Sequence, residues 1–180
     1  MSQLRPPTII ETARLRLRPP VLDDAEAIFA RYASDPQVTR YLIWSAHETA
    51  EMTRGFLQRC LAVWEDGSAF PWVIEGRQDG QLIGMIELRI EGHSADLGYV
   101  LARPCWGQGF ATETTRAIVT WALAQPAIYR VWAVCDVENA ASAHVLEKAG
   151  MQREGCLRRW MLRPDLSDIP RDCWCYSVVK

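Results

Sequence analysis

The stretch Trp106-Gly107-Gln108-Gly109-Phe110-Ala111-Thr112-Glu113 decides both the fold and the chemistry expected of this chain. It follows a strand-like apolar run at 97–101 and opens a run with helical spacing at about Gln108. Two glycines one residue apart at such a junction let the backbone approach a ligand closely and turn its N–H groups outward. The helix start adds roughly half a positive charge. The stretch therefore predicts a cradle for the phosphate groups of a cofactor, built without a lysine.

The composition is that of an ordinary globular protein, since 49% of the 180 residues are apolar, 23% are charged and the net charge is −2. We expect one domain over 1–180. The near-neutral charge argues against a basic face for nucleic acid. No run approaches the roughly 18 apolar residues of a membrane span, and no signal peptide is recognisable. We therefore expect a soluble cytoplasmic protein that binds neither nucleic acid nor membranes.

The six cysteines show no metal-binding spacing. There is no C-x-x-C pair, and Cys173 and Cys175 have no histidine nearby at a zinc-ligand spacing. We expect small, buried apolar side chains in a reducing compartment. No metal cofactor is expected.

The first half of the chain predicts a strand, two helices and three antiparallel strands. Residues 9–18 alternate between leucine and arginine, which indicates a strand with one wet face, and a helix starts at about Asp23. Ser45 followed by Glu48 is a capping-box pattern that opens a second helix. Three strands follow, with a tight Asp79-Gly80 hairpin between the first two, at 70–77, 81–90 and about 95–102.

The second half predicts a helix, a strand, a short helix and two final strands. The first helix is stopped by Pro126, and the apolar run at 129–135 indicates a strand buried on both faces. Gly150 suits the left-handed position that ends the short helix. The last strands are expected at 152–161 and 172–179. The whole order predicts a mixed α/β (α+β) fold with a central sheet of about six to seven strands, mostly antiparallel, flanked by about four helices.

Four pieces of the sequence, in this order and spacing, resemble the GNAT N-acetyltransferase superfamily. They are Leu82-Ile83-Gly84, Leu97-Gly98-Tyr99-Val100-Leu101, the glycine stretch, and Asn139-x-x-Ser142 followed by Glu147-Lys148-x-Gly150. The resemblance covers nearly the whole chain, from about 12 to 179. Trp106 stands where the superfamily usually has glutamine or arginine. Tryptophan there is common in the RimJ/RimL-like branch, so the narrower resemblance is to that branch.

The resemblance implies acetyl-CoA as co-substrate and a primary amine as acceptor, with direct transfer in a ternary complex. In this family the pyrophosphate rests on backbone N–H groups that correspond to 107–112. The pantetheine arm pairs with the strand that ends at Leu101, where a backbone N–H polarises the thioester carbonyl. The implied cofactor-binding residues are Tyr99, Val100, Leu101, Trp106, Gly107, Gln108, Gly109, Phe110, Ala111, Thr112, Asn139 and Ser142.

Ser142 is the implied proton donor to the departing thiolate. Many superfamily members place a tyrosine seven residues after the asparagine, but that position is Leu146 here. Ser142 is then the remaining donor that the branch suggests. The alternative is a hydroxyl that only satisfies the first turn of its helix.

Glu87 is the candidate general base, because it lies on the strand after Gly84, where its carboxylate could face the cleft. One alternative is a solvent-facing carboxylate paired with an arginine across the sheet. Another is a water-mediated proton path without a single base. Glu113 is a weaker candidate, because a carboxylate in the first helical turn more plausibly serves the helix dipole.

Tyr41, Trp44 and Trp72 are expected to line the acceptor pocket together with Glu87. Core packing is the alternative for both tryptophans and is favoured for Trp72. His47 and His144 lack a carboxylate at a diagnostic spacing and are expected at the surface or at helix caps. The charged loop at 163–171 is expected either to overhang the acceptor site or to be a solvated connection.

Three questions about function stay open. The acceptor is either a small-molecule amine or a protein N-terminus, as in ribosomal proteins, and the enzyme is a monomer or a homodimer. The same fold can instead bind CoA as a sensor or interaction module. A dinucleotide-dependent oxidoreductase is a weak rival, because Gly107-x-Gly109 is followed by Thr112 where that fingerprint has a third glycine.

Overall fold

A central sheet organises residues 4–180, which are the residues that this computed structural model describes. Its strands are β1 (Ile10–Glu11), β2 (Leu15–Arg18), β3 (Phe70–Gly76), β4 (Leu82–Glu91), β5 (Ser94–Leu101), β6 (Arg130–Asp136), β7 (Gln152–Arg163) and β8 (Ser167–Val179). They lie in the order β1-β2-β3-β4-β5-β6-β8-β7. Neighbours are antiparallel except β5 and β6, which are parallel. The predicted mixed, mostly antiparallel sheet is confirmed, and it differs from the doubly wound sheet of dinucleotide-binding folds.

Helices flank this sheet. They are α1 (Ala25–Ile28), α2 (Pro36–Thr39), α3 (Ala50–Asp66), α4 (Phe110–Ala124) and α5 (Ala140–Lys148). Helix α3 packs on β3, α4 packs on β4, β5 and β6, and α5 packs on β6, β7 and β8. The short α2, in the segment expected to be a loop, adds one helix to the predicted four. No helix in the described part of the chain is both long and apolar enough to cross a membrane.

Helix α3 begins later than the sequence pattern predicts. The Thr49 hydroxyl accepts the backbone N–H of Met52 at 3.3 Å and so caps the helix. The capping box expected at Ser45 and Glu48 is therefore wrong. A threonine in an extended conformation just before the helix provides the same capping chemistry four residues further along.

The strand predicted at 9–18 is two strands joined by a turn at 12–14. The turn forms because the Thr12 N–H donates to the Leu15 carbonyl at 2.9 Å, while the Leu15 N–H donates to the Thr12 hydroxyl at 3.0 Å. The leucines of this segment are buried and Arg14 is exposed, so the predicted wet face is confirmed. The turn brings the described strands to one more than the predicted six to seven.

The C-terminal hairpin is longer than predicted, and the expected loop at 163–171 is wrong. Strands β7 and β8 pair up to Arg163 and Ser167, which leaves only 164–166 as a turn. Pro170 and the charged residues of this segment favoured a loop. The proline lies instead next to an irregularity where the register shifts between Leu157 and Met161, and such sites accept a proline within a strand.

Two expectations about burial are also corrected. Strand β6 is not buried on both faces, because Val131, Ala133 and Cys135 are buried while the alternate residues are half-buried. Cys156 is exposed, although the other five cysteines are buried. The first correction arises from the alternation of side chains along a strand, which leaves one face less covered. The second arises because β7 is the edge strand of the sheet, and all of 152–156 are exposed.

Candidate active site

The parallel strands β5 and β6 separate along their length and open the sheet. They are in register only over three residue pairs, from Ser94 with Arg130 to Asp96 with Trp132. Beyond these pairs, the backbone edge of β5 at 97–100 faces an opening instead of a strand. Backbone N–H and C=O groups require partners when they are buried. An extended ligand with amide groups of its own is therefore suited to this edge.

A cleft of about 1220 Å³ starts at this opening and runs between the two halves of the sheet. It collects all but one of the cofactor-binding residues predicted from the resemblance. The exception is Gln108, which is exposed and whose side chain donates to the Pro104 carbonyl at 2.8 Å. The cleft is also lined by Tyr41, Trp44 and Glu87. The residues that the structure brings together are Tyr99, Val100, Leu101, Trp106, Gly107, Gly109, Phe110, Ala111, Thr112, Asn139 and Ser142.

The glycine loop has the conformation of a phosphate cradle. Gly107 and Gly109 have φ angles of 73° and 80°, in the left-handed region that side chains disfavour. No side chain caps α4, which begins directly after Gly109, so its first N–H groups are free to meet a ligand. A Cβ atom at Gly109 would meet only an Arg14 nitrogen at 3.5 Å. The space in front of the loop is therefore open.

A smaller depression of about 420 Å³ adjoins the loop and is rich in cations. Gly109 and Thr112 belong to both cavities. Arg14, Arg116 and Lys148 line the depression against a single carboxylate, that of Glu113. The sequence analysis missed Arg116 and Lys148 as ligand-facing groups. The sequence could have indicated Arg116, because it lies seven residues after Gly109, which places it about two turns along the same side of α4.

Glu113 links α4 to the N-terminal hairpin. Its carboxylate accepts from the Thr12 hydroxyl at 2.6 Å, from the Arg14 backbone N–H at 3.0 Å and from the Arg14 guanidinium at 2.6 Å. Burial alone would raise the pKa of this carboxyl, but these hydrogen bonds and the Arg14 charge lower it. Glu113 lies outside the large cleft. Its position in the first turn of α4 agrees with the helix-dipole role, and its bonds tie the hairpin to the glycine loop.

Ser142 and Tyr99 share a hydrogen bond inside the cleft, with 2.8 Å between their hydroxyl oxygens. The first turn of α5 is capped by the side-chain amide oxygen (Oδ1) of Asn139, which accepts the backbone N–H of Ser142 at 3.1 Å. The Ser142 hydroxyl is thus held by Tyr99 rather than by that cap. Burial raises the pKa of Tyr99, so its phenol is neutral and can donate.

Glu87 lies in the cleft and already has a cationic partner. Arg89, two residues along β4, forms ion pairs with Glu87 and with Asp96 of β5. The pKa of Arg89 is raised because these carboxylates outweigh the cost of its burial. The arginine partner of the alternative interpretation is present, but it belongs to the same strand as Glu87. Glu87 and Arg89 both line the cleft, whereas Asp96 lies outside its lining.

Trp72 does not reach the cleft. Its side chain is fully buried, and its ring lies 5.1 Å from that of Trp64 at 86°. Its indole N–H donates to the Thr8 carbonyl at 3.2 Å. The structure therefore places Trp72 in the core and corrects its expected role in acceptor binding. His144 is exposed, as expected, and lies at the rim of the cleft, whereas His47 is half-buried and packs on Trp44, with 4.9 Å between ring centroids.

The turn between β7 and β8 holds the segment that carries the cleft aromatics. The Asp165 carboxylate accepts from the Thr39 hydroxyl and, at 3.1 Å, from the Ala46 backbone N–H. Thr39 and Ala46 bracket Tyr41 and Trp44. Met161 and Arg163 of β7 line the same cleft. The sequence analysis assigned neither residue to the site: it made Met161 the last residue of the predicted strand and placed Arg163 in a loop.

Comparisons with known proteins agree with this geometry. Residues 14–152 match the family model described as Acetyltransferase (GNAT) domain. The N-acetyltransferase YoaA of Bacillus subtilis (strain 168) is 35% identical over 175 residues, which are 96% of this chain and 97% of YoaA. RimL, a ribosomal L7/L12 alpha-N-protein acetyltransferase in complex with coenzyme A, has a TM-score of 0.83 at 22% identity over 95% of this chain and 97% of RimL. MccE, the microcin C7 self-immunity acetyltransferase in complex with acetyl-CoA and AMP, has a TM-score of 0.84 at 20% identity over 94% of each chain.

The fold and the cleft define an acyltransferase. The chain belongs to the GNAT family and is an N-acetyltransferase. The resemblance to this family is confirmed, and RimL is among the structural neighbours, as the resemblance to the RimJ/RimL-like branch predicts.

Proposed function

We propose that this protein transfers the acetyl group of acetyl-CoA directly to a primary amine while both are bound in the cleft. The observation that carries the proposal is the continuity of three features in one cavity. These are the uncapped start of α4 at Gly109, the free edge of β5, and the hydroxyl pair of Tyr99 and Ser142. The helix start suits a pyrophosphate, the strand edge suits an amide-bearing arm, and the hydroxyl pair suits a departing thiolate.

The residues of the cradle fit acetyl-CoA, which supplies an activated acetyl thioester when bound. The N–H groups of 107–112 would hold its pyrophosphate. The edge of β5 from Tyr99 to Leu101 would pair with its amide groups, and a backbone N–H there would polarise the thioester carbonyl. Arg116 and Lys148, at the adjoining depression, supply further positive charge for phosphate groups.

Ser142 is proposed as the proton donor to the thiolate, and Tyr99 as the group that orients it. A positioned donor of this kind contributes about 10²- to 10⁴-fold to a rate. Glu87 is proposed as the group that takes a proton from the attacking amine, directly or through water. Its place in the cleft supports this role, while its ion pair with Arg89 supports the alternative of a structural carboxylate.

The acceptor is proposed to be a small-molecule amine, with a protein N-terminus as the alternative. Tyr41 and Trp44 line the cleft, and the Asp165 contacts hold their segment against the C-terminal hairpin. An enclosed wall of this kind favours a small ligand. The names of the two structural neighbours include a ribosomal protein in one case and a microcin in the other, so they favour neither acceptor.

A CoA-binding module without catalysis is the second candidate function. The Tyr99–Ser142 pair argues against it, because a binding module has no need of a proton donor at the thiolate position. Direct transfer by a monomer or a homodimer stays a prediction.

Calorimetric titration with acetyl-CoA, CoA and NAD, followed by a thiol-release assay with a broad panel of amines, tests this proposal. We expect binding of acetyl-CoA and CoA but not NAD, and amine-dependent release of CoA. Binding without release for any amine would favour the non-catalytic module. Failure to bind acetyl-CoA would refute the proposed function.

A further inference from the structure

Arg163 is a buried cation in the cleft that lacks an anionic partner. Its side chain is only 5% exposed, and its Nε has no hydrogen-bond partner. One terminal nitrogen lies 3.8 Å from the Cys173 sulfur, which is a weak acceptor. No carboxylate of residues 4–180 forms an ion pair with Arg163. Buried guanidinium groups are costly when they are unpaired, so this arrangement points to a ligand.

The buried carboxylate that lies opposite Cys173 in the sheet is already occupied. Asp136, which faces Cys173 in the register of β6 and β8, binds Arg171 through two contacts of 2.6 and 3.1 Å. It also accepts the Glu138 backbone N–H at 2.9 Å. Both carboxylate oxygens of Asp136 are thus used. Arg163 influences the Asp136 carboxyl only through its charge, which helps to lower the pKa of that group.

The position of Arg163 is that of an acceptor-binding group. It lies at the end of β7, two residues before Asp165, whose carboxylate holds the segment with Tyr41 and Trp44. The phosphates of acetyl-CoA have their own site at 107–112, and its pantetheine arm is uncharged. The bound co-substrate would therefore provide no direct ion-pair partner for Arg163.

The cleft also carries the opposite charge. Glu87 of β4 lines the cleft as a carboxylate, paired with Arg89, while Arg163 lines it as a cation on β7. A ligand with a cationic amine and an anionic group matches both. The planar guanidinium fork is suited to two-point binding of a carboxylate or phosphate.

We propose that Arg163 binds an oxyanion group which the acceptor carries beside its amine, so that the preferred acceptor is a small zwitterionic amine. This inference rests on the proposed acetyl transfer and deepens it. The aromatic rings of Tyr41 and Trp44 would contact the apolar part of such a molecule. Polyamines and simple alkylamines, which have no oxyanion, would leave Arg163 unpaired.

Matched pairs of amines test the inference. Phenylalanine against phenethylamine reports on a carboxylate, and phosphoethanolamine against ethanolamine reports on a phosphate. In the wild type we expect kcat/KM for the acidic member of at least one pair to exceed that of its partner by about 10- to 100-fold, the range of a charge-assisted hydrogen bond. Which pair shows the preference identifies the oxyanion.

Three variants assign the preference to Arg163. In R163Q the ratio within the pair should fall close to one, and in R163K part of it should return. R158Q removes an exposed arginine from the same strand and should leave the ratio unchanged. The Kd for acetyl-CoA and the Tm of R163Q report on folding, which should be retained because removal of an unpaired buried charge is well tolerated.

Equal kcat/KM values within both pairs in the wild type would overturn the inference, whatever the variants do. So would an unchanged preference in folded R163Q. If neither pair is acetylated, calorimetry on the CoA-loaded wild type decides, and failure of both acidic members to bind would overturn the inference. Failure of the proposed function is distinct, because it shows as loss of acetyl-CoA binding or as no turnover with any amine.

Discussion

The phenol oxygen of Tyr99, on β5, lies 2.8 Å from the hydroxyl oxygen of Ser142, on α5. The phenol oxygen is also 3.3 Å from the Ser142 carbonyl oxygen. A neutral phenol donates one hydrogen, so it donates either to the hydroxyl or to the carbonyl of Ser142. In the second case its oxygen can still accept a hydrogen bond from the serine hydroxyl. This contact connects β5 with α5 across the cleft, beyond the point where β5 and β6 stop pairing.

Ser142→Ala should lower kcat by about 10²-fold or more, because it removes the proposed proton donor. The Kd for acetyl-CoA should change less than about twofold, since the helix cap uses the backbone of Ser142. Steady-state kinetics and calorimetry check these values, with Ser68→Ala, at an exposed position outside the cleft, as control. Unchanged kcat, with chemistry shown to limit the rate, would remove Ser142 from the mechanism.

Tyr99→Phe should lower kcat by about 10-fold while the Kd for acetyl-CoA is retained, because the ring still packs but the serine loses its orienting partner. The double variant with Ser142→Ala should be no slower than Ser142→Ala alone. Additive losses in this cycle would show that the two hydroxyl groups act independently.

Gly109→Ala should weaken acetyl-CoA binding by at least about 10-fold. The residue has a φ of 80°, where a side chain costs about 1–2 kcal/mol, and the new methyl group projects into the space in front of the loop. Calorimetry measures the change. Gly155→Ala is the matched control, because that glycine lies in a strand and its Cβ would meet nothing within 4 Å. Near-normal affinity in Gly109→Ala would argue against the cradle.

Gly84→Ala should destabilise the protein by about 1–3 kcal/mol through overpacking. A Cβ atom at Gly84 would lie 2.1 Å from the Val100 carbonyl oxygen and 2.9 Å from the Leu101 Cα, both backbone atoms of β5. For a chain of this size the Tm should fall by about 2–4 °C per kcal/mol. Thermal unfolding checks this, and a Tm equal to that of Gly155→Ala would show that β5 yields freely.

Acid should weaken the link between the N-terminal hairpin and α4. The folded-state pKa of Glu113 lies below its ordinary value of 4.5, because the bonds to Thr12 and Arg14 override the effect of burial. Its contribution to stability is therefore present above about pH 4.5 and is lost as the pH falls through the folded-state pKa. Urea unfolding between pH 3 and 6 should show a shallower pH dependence in Glu113→Gln. The control Glu48→Gln, at an exposed position, should leave the pH dependence of the unfolding free energy unchanged. An unchanged pH dependence in Glu113→Gln would contradict a stabilising role for the Glu113 contacts with Thr12 and Arg14.

The sequence predicted those elements whose signals are local. Asp79-Gly80 forms its turn with a φ of 63° at Gly80, and Gly107 and Gly109 have the conformation that their spacing predicts. Asn139 caps α5 as expected. These features depend on one or two residues and on backbone geometry, which a pattern records directly.

The errors share a different cause, which is long-range packing. Thr49 replaced Ser45 as the cap because the segment before α3 is held by Asp165, 119 residues from Ala46. The 163–171 segment became a hairpin because β8 pairs along its whole length with β7. The sequence pattern predicts a loop at Arg163, whereas the pairing of β7 with β8 places this residue in the cleft. No local pattern records such contacts.

Three residue pairs between β5 and β6 are all that join the two halves of the sheet edge to edge. The sheet therefore has its weakest strand pairing beside the proposed reaction centre. A ligand whose amide groups bond to the edge of β5 would fill the gap between the two halves of the sheet and add hydrogen bonds there. The stiffness of the sheet at this point would then be a property of the complex rather than of the chain alone.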